Sequence, residues 1–98
     1  MERHASALKA ARQAKRHETR NTSAIARMRT HIRKLRIATA QKYDKKDAAI
    51  KALTPLLNVT QSVIMTTARH GIIKRPTASR YVARLSKHVH ETISRLGA

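Results

Sequence analysis

The first third of the chain, from Arg3 to Arg36, contains neither Gly nor Pro. Ala, Arg, Lys and Gln dominate it, and these residues lose little conformational freedom on entering a helix. We therefore predict one continuous helix that ends near Gln41 and spans on the order of 50 Å. A chain of 98 residues is too small to bury a helix of that length along its whole course. One part of the helix should therefore pack, and another should project.

The apolar stripe of this helix is confined to its second half. On a helical wheel with 100° per residue, the stripe consists of Ile25, Met28, Ile32, Leu35 and Thr39. Towards the N-terminus the same stripe passes through Asn21 and His17 and then continues only as alanine. Within a single domain of residues 1–98, we expect residues 23–98 to form a bundle and residues 1–22 to be a helical extension that contacts a partner.

The opposite face of the predicted helix is cationic. It carries Lys9, Arg12, Arg16, Arg20, Arg27 and Lys34, and it is flanked by Lys15, Arg29, Arg33 and Arg36. Acidic residues at i+4 balance such cations on ordinary exposed helices, but not here. Arg outnumbers Lys, which favours forked contacts to phosphate oxygens over simple charge neutralisation. This face predicts binding to a polyanion.

The net charge of +17 makes nucleic acid the default partner of so small a domain. The two tyrosines are its only aromatic residues, which argues against binding of single strands through stacked bases. The chain has no Cys, so disulfides and thiolate metal sites are excluded. The N-terminus lacks the apolar segment of a secretory signal, and the least polar run, residues 48–68, contains enough polar residues to favour a buried helix over a membrane span.

A second helix is expected from Lys45 or Asp47 to Arg69, with Asp44 or Asp47 accepting backbone N–H bonds at its start. Its apolar stripe is Ile50, Leu53, Leu56, Leu57, Val63, Ile64 and Ala68. Pro55 should cause a kink or a short irregular turn without interrupting the helix fully. The segment 47–68 has nearly no net charge, so we expect the other helices to shield it.

A third helix should follow His70-Gly71, where the glycine supplies a left-handed cap. Pro76 suits its first turn, and Gly97 should end it. Its packing seam is Ala78, Val82, Leu85, Val89, Thr92 and Leu96. No segment predicts a strand. The fold class is therefore all-α, an up-down-up three-helix bundle with an extended, projecting N-terminal helix.

Catalytic chemistry finds no support in the sequence. There is no nucleophile motif and no glycine-rich phosphate loop, and only five residues are acidic. Asp44 and Asp47 suit a turn or cap better than an acid–base pair. The six histidines lack the neighbours of a zinc site, and His88 and His90 lie on different faces of a helix. We predict no enzyme activity, no metal and no cofactor.

Two stretches carry a resemblance to a known family. The first comprises Ser6-Ala7, Lys9, Arg16, Arg20-Asn21, Arg29-Thr30 and Ile32-Arg33-Lys34. The second comprises His70-Gly71-Ile72-Ile73-Lys74-Arg75, Ala78-Ser79-Arg80 and Arg84-Leu85. In order and spacing, from about Ser6 to Val89, they resemble the bacterial small ribosomal subunit protein S20 family.

The resemblance implies a three-helix bundle that binds 16S ribosomal RNA directly, at the 5′ domain and at the penultimate helix of the 3′ minor domain. It implies a place in the small subunit of a cytoplasmic bacterial ribosome, or of an organellar one. It also implies RNA contacts by Lys9, Arg16, Arg20, Asn21, Arg29, Thr30, Arg33, Lys34, Lys74, Arg75, Arg80 and Arg84. We add Arg12, Lys15 and Arg27 from the cationic face of the first helix.

One departure from the family affects the connection between the second and third helices, which is called the second turn below. The family usually has His-Lys-Asn after this turn, whereas Lys74-Arg75-Pro76 stands here. A contact from the Asn side chain therefore cannot be carried over, and the cap must be built differently because Pro76 has no backbone donor.

Two other functions share the high charge. A nucleoid protein that compacts DNA would show a dimer seam, a minor-groove wedge or a β-arm, and none is evident. A membrane-active amphipathic protein would be expected to contain Trp or Phe, and the chain has neither. We expect neither membrane binding nor a homo-oligomer.

Overall fold

A computed structural model of the chain describes the backbone of residues 2–96 and the side chains of residues 4–96. It has three α-helices: α1 at Glu2–Ala40, α2 at Lys46–Arg69 and α3 at Arg75–Leu96. Residues 2–96 contain no strand. The middle helix α2 packs against both α1 and α3, so the near-neutral segment is shielded on its inner face, whereas Val59 and Met65 on its outer face are exposed. These observations confirm the all-α three-helix bundle.

The molecule is strongly elongated. Its extents are 72 × 21 × 15 Å and its radius of gyration is 19.0 Å, compared with about 13 Å for a compact chain of this length. The elongation comes from α1, whose 39 residues span about 58 Å. Every side chain from His4 to Ser23 is exposed, and burial begins at Ala24. The predicted long, projecting N-terminal helix is therefore confirmed, and residues 4–23 are called the projecting segment below.

The core lies between the second half of α1 and the other two helices. Its largest fully buried side chains include Leu35, Leu53, Ile64 and Val89, which come from all three helices. On the predicted stripe of α1, Met28 and Leu35 are buried and Ile32 packs against the core.

Two predicted core positions are wrong. Ile50 is 39% exposed and Leu96 is 36% exposed. Ile50 lies in the early part of α2 at the edge of its buried face, where Ala49 is fully buried instead. Leu96 is the last residue of α3, about one turn beyond Ile93, which still packs against the core.

Side-chain hydroxyls tie the helices together. The Thr39 hydroxyl donates to the carbonyl of Arg36 at 2.7 Å, so the Nε2–H of His88 must donate the 3.0 Å bond that joins it to Thr39 Oγ1. This bond links α1 to α3. The buried Thr60 donates to the carbonyl of Leu56 at 2.7 Å and lies 3.4 Å from that of His31. The Tyr43 hydroxyl donates to the carbonyl of Ala38 at 2.7 Å and satisfies one acceptor at the end of α1.

The start of α2 differs from the prediction. Lys45 occupies the N-cap position in an extended conformation and makes no side-chain capping bond. Asp47 lies inside the first turn, where its negative charge is favourable next to the positive end of the helix dipole. Capping by Asp44 or Asp47 is therefore wrong, because the extended residue that precedes α2 is neither of them. The helix runs through Pro55 without interruption.

The second turn agrees with the prediction. Gly71 has φ +76°, a conformation that costs a non-glycine residue free energy. Its N–H donates to the carbonyl of Ala68 at 2.9 Å, and the N–H of Ile72 donates to that of Thr67 at 3.1 Å. Pro76 lies in the first turn of α3. The predicted stop at Gly97 lies outside the described residues.

The buried leucine Leu53, which is 0% exposed, provides a test of the core. Leu53→Ala is expected to lower the free energy of unfolding by about 2–5 kcal/mol, because it leaves a cavity between the helices. The control Val59→Ala lies on the same helix at a side chain that is 48% exposed, and it should change stability by less than about 0.5 kcal/mol. Urea denaturation measures both. Equal losses would mean that α2 does not present Leu53 to the core.

Candidate nucleic-acid interface

The cationic face of α1 is continuous and exposed. All predicted contact residues on α1 are exposed: Lys9, Arg12, Lys15, Arg16, Arg20, Asn21, Arg27, Arg29, Thr30, Arg33 and Lys34. From Lys9 to Lys34 they extend over about 37 Å of helix. Because these cations already stand in water, contact with phosphate does not require the core to open.

The two halves of α1 present their cations differently. In the projecting segment, Lys9, Arg12, Lys15, Arg16 and Arg20 have no other helix beside them, so anions can approach from several directions. In the packed half, the bundle covers one side of the helix. There, Arg27 and Arg29 end up on opposite sides of α1. Arg27 lines a groove between α1 and α2 together with Val59 and His70, whereas Arg29 faces the groove between α1 and α3.

The two stretches of sequence that carry the family resemblance meet at a groove between α1 and α3. Its lining includes Arg29, Arg33, Arg36 and Ile37 of α1, and Ile73 and Tyr81 on the other side. We call it the α1–α3 groove. Lys74 and Arg75, which follow Ile73, are exposed at this end of the bundle. The structure thus places the second turn next to the middle of α1, although the two are far apart in sequence.

The predicted cations of α3 are exposed as well. Arg80 and Arg84 lie about one turn apart on the surface of α3. The N–H of Ala78 donates to the carbonyl of Lys74 at 3.0 Å, which fixes the backbone of Lys74 at the entrance to the helix. The first turn of α3 contains no acidic residue, so nothing within it offsets the charge of Lys74 and Arg75.

The hydroxyl group of Thr30 already uses its hydrogen-bond donor within α1. It donates to the carbonyl of Ala26 at 2.9 Å, which leaves its oxygen lone pairs for an outside partner. A phosphate oxygen is an acceptor and requires a donor, so Thr30 is better suited to accept a hydrogen bond, for example from a ribose 2′-hydroxyl. The neighbouring arginines Arg29 and Arg33 supply donors for phosphate.

The outer face of α2 is not part of the cationic surface. No residue between Lys51 and Arg69 is charged. Its exposed residues are Thr54, Pro55, Asn58, Val59, Ser62, Met65 and Thr66. Charge is therefore distributed unevenly around the bundle, and an anionic partner is attracted to α1 and to the start of α3.

Sequence reasoning missed the apolar part of the α1–α3 groove. Helical spacing puts Arg36 beside the cationic face, but it does not connect Ile37, Ile73 and Tyr81 with that face. A signal was present, because Tyr81 is one of two aromatic residues in the chain and lies between Arg80 and Arg84. Among the described residues, no group of acidic, His or Cys side chains is placed to hold a metal ion. None of the three helices, over the residues described, is long and apolar enough to cross a membrane.

Comparisons of the sequence with known proteins point to one family. The sequence model of the family described as ribosomal protein S20 matches residues 2–90. The small ribosomal subunit protein bS20 of Syntrophobacter fumaroxidans is 43% identical over 90 residues, which cover 92% of this chain and 98% of the relative. The bS20 protein of Koribacter versatilis is 39% identical over 95 residues, covering 97% of this chain and 100% of the relative. The bS20 protein of Beijerinckia indica is 43% identical over 84 residues, which cover 86% of this chain and 90% of the relative. No solved structure is significantly similar to the chain.

Proposed function

The chain belongs to the ribosomal protein S20 family, and we propose that it is a structural protein of the small ribosomal subunit that binds 16S ribosomal RNA directly. Proteins of this family are structural components and not enzymes. The observation that carries the proposal is the exposed cationic face of α1, half of which projects beyond the bundle. Its place of action is the ribosome, in the cytoplasm of a bacterium.

The proposed mechanism is electrostatic and geometric. The extension of residues 1–22, which contains all but the last residue of the projecting segment, lies between RNA segments and neutralises phosphates on more than one side. The bundle of residues 23–98 fixes the direction in which α1 points. Since the major groove of an RNA duplex is too deep and narrow for side chains to read, recognition proceeds by shape and backbone. The protein thereby holds helices of the 5′ domain and of the 3′ minor domain in fixed packing.

The residues assigned to RNA contact fall into two groups. On α1 they are Lys9, Arg12, Lys15, Arg16, Arg20, Asn21, Arg27, Arg29, Thr30, Arg33 and Lys34. Around the second turn they are Lys74, Arg75, Arg80 and Arg84. The assignment is supported by the exposure of every one of these side chains. It is also supported by the neutral outer face of α2, because an anionic partner is then attracted to α1 and to the start of α3.

Affinity measurements test the proposal against general binding of nucleic acid. We expect a 16S RNA fragment of the 5′ domain to bind far more tightly than random duplex DNA of equal length at the same salt concentration. We also expect the protein to co-sediment with small ribosomal subunits after a high-salt wash. Equal affinity for the two nucleic acids, with loss from the subunits in the wash, would contradict a specific ribosomal role.

A pair of charge reversals tests the assignment of the face. Arg16→Glu removes a phosphate contact and should reduce the slope of log affinity against log salt by about 1. Its melting temperature should be unchanged or higher, because the net repulsion falls. Lys51→Glu changes the net charge equally on exposed α2, outside the assigned contacts, and should leave the slope nearly unchanged. Identical losses of affinity would mean that only total charge matters.

A further inference from the structure

The α1–α3 groove combines three arginines and exposed apolar area with an aromatic side chain. It has a volume of about 730 Å³, within the range of roughly 300–1,000 Å³ for sites that hold a small organic molecule. Arg29, Arg33 and Arg36 line its α1 side. Ile37, in the same groove, is 56% exposed, more than any other large apolar side chain among the described residues.

Phosphates alone do not suit this groove. A duplex backbone presents charged oxygens, and setting these against Ile37 and Ile73 would remove water from phosphate without supplying a hydrogen bond. A nucleobase has two flat apolar faces and a polar edge, and it is joined to phosphates on both sides. Such a group places its apolar area on the groove and its phosphates within reach of the arginines.

Tyr81 supplies the aromatic surface that a base requires. Its side chain is half-buried and packs against the core, while also lining the groove. The core therefore holds the ring in place before a ligand arrives, which reduces the entropy lost on binding. Bases stack on such platforms with little dependence on their identity.

We propose that the α1–α3 groove binds a single unpaired nucleotide extruded from an RNA helix, with its base against Tyr81 and Ile37 and its flanking phosphates on Arg29, Arg33 and Arg36. This inference rests on the proposed binding of RNA and adds a nucleotide-sized site to it. The scarcity of aromatic residues argues against binding of single strands through stacked bases, but one ring is enough for one base.

Binding to an RNA duplex with one unpaired nucleotide tests this site directly. The probes are a short RNA duplex and the same duplex with one unpaired uridine, bound to the full chain at one salt concentration. Stacking of one base contributes about 5- to 150-fold in affinity, so the bulged duplex should bind at least about fivefold more tightly than the plain one. Tyr81→Leu and Ile37→Gln should bring the ratio of the two affinities towards one, while binding of the plain duplex changes little.

Two control variants distinguish loss of the groove from loss of positive charge and from damage to the fold. Arg12→Gln, in the projecting segment, should weaken both RNAs equally and keep their ratio. Tyr81→Phe retains the ring and should keep the preference. A 5-iodouridine placed at the bulge should cross-link on irradiation to the peptide that contains Tyr81, since this base reacts with an aromatic ring stacked on it.

The possible outcomes distinguish this inference from the proposed function. If both duplexes bind equally well, or if Tyr81→Leu and Ile37→Gln retain the preference, or if the cross-link maps outside the groove, the nucleotide site is refuted while RNA binding stands. The groove would then be free for a different partner, such as an acidic protein segment. If neither RNA nor a 16S fragment binds, the proposed function itself is refuted.

Discussion

Deletion of residues 1–20 is expected to abolish specific binding to 16S RNA while leaving a bundle that melts cooperatively. From His4 onwards, partial burial in α1 begins at Ala24 and Met28 is the first buried side chain, and all core residues of α2 and α3 remain after the deletion. The variant loses Lys9, Arg12, Lys15, Arg16 and Arg20 together, and with them the part of α1 that anions can approach from several sides. Circular dichroism during heating measures the first expectation, and a filter-binding titration measures the second.

A proline variant separates the role of the helix from the role of its charge. Ala14→Pro keeps every cation but interrupts the helix within the projecting segment. It should weaken binding of the 16S fragment strongly, because cations on a broken helix no longer match fixed phosphate positions. Unchanged affinity of Ala14→Pro would mean that charge alone is recognised. Loss of cooperative melting in the 1–20 deletion would mean that the segment packs against the bundle.

Affinity for the 16S fragment should depend steeply on salt. If the cationic face neutralises about six to ten phosphates, the affinity should fall by about 10³–10⁵ between 50 and 200 mM salt, by analogy with duplex DNA. The cause is the release of counterions that the RNA had condensed around those phosphates. Isothermal titration or anisotropy at several salt concentrations gives the slope.

The 1–20 deletion provides the control for this slope, since it lacks five of the assigned cationic contacts. Its residual binding should show a clearly shallower dependence on salt than that of the full chain. A flat titration of the full chain would contradict contact through phosphates, even if the affinity itself were high.

Much of the fold was predictable because local signals and the global fold agree. The absence of Gly and Pro from Arg3 to Arg36 predicts α1, and Gly71 and Pro76 mark the second turn. The end of the apolar stripe near Ile25 predicts where α1 leaves the bundle. These features depend on residues close in sequence, for which helical periodicity is a direct guide.

The parts that were missed depend on how the helices are placed against each other. Helical spacing assigns Ile50 to the apolar stripe, but the edge of the buried face falls between Ala49 and Ile50 at the start of α2. The bond between Thr39 and His88 joins residues 49 positions apart. The α1–α3 groove likewise is lined by Ile37 of α1 and Tyr81 of α3, and periodicity within one helix does not say which residues of two helices line the same groove.

Apart from one bond from the Thr19 hydroxyl to the carbonyl of Lys15 at 3.0 Å, the projecting segment is held in its helical conformation by its own backbone hydrogen bonds. In proteins most of the stability of a helix comes from tertiary packing, which this segment lacks because its side chains are all exposed, and its cations repel one another. We therefore expect it to open readily in the free protein and to become stably helical on RNA, at the cost of part of the contact free energy.

Amide hydrogen exchange of residues 4–21, with and without the 16S fragment, measures the role of this segment most directly. We predict fast exchange in the free protein and strong protection in the complex, with little change at the buried positions of α2. If the segment exchanges equally fast in the complex, or if it is already protected without RNA, α1 is not a projecting helix that RNA binds and orders.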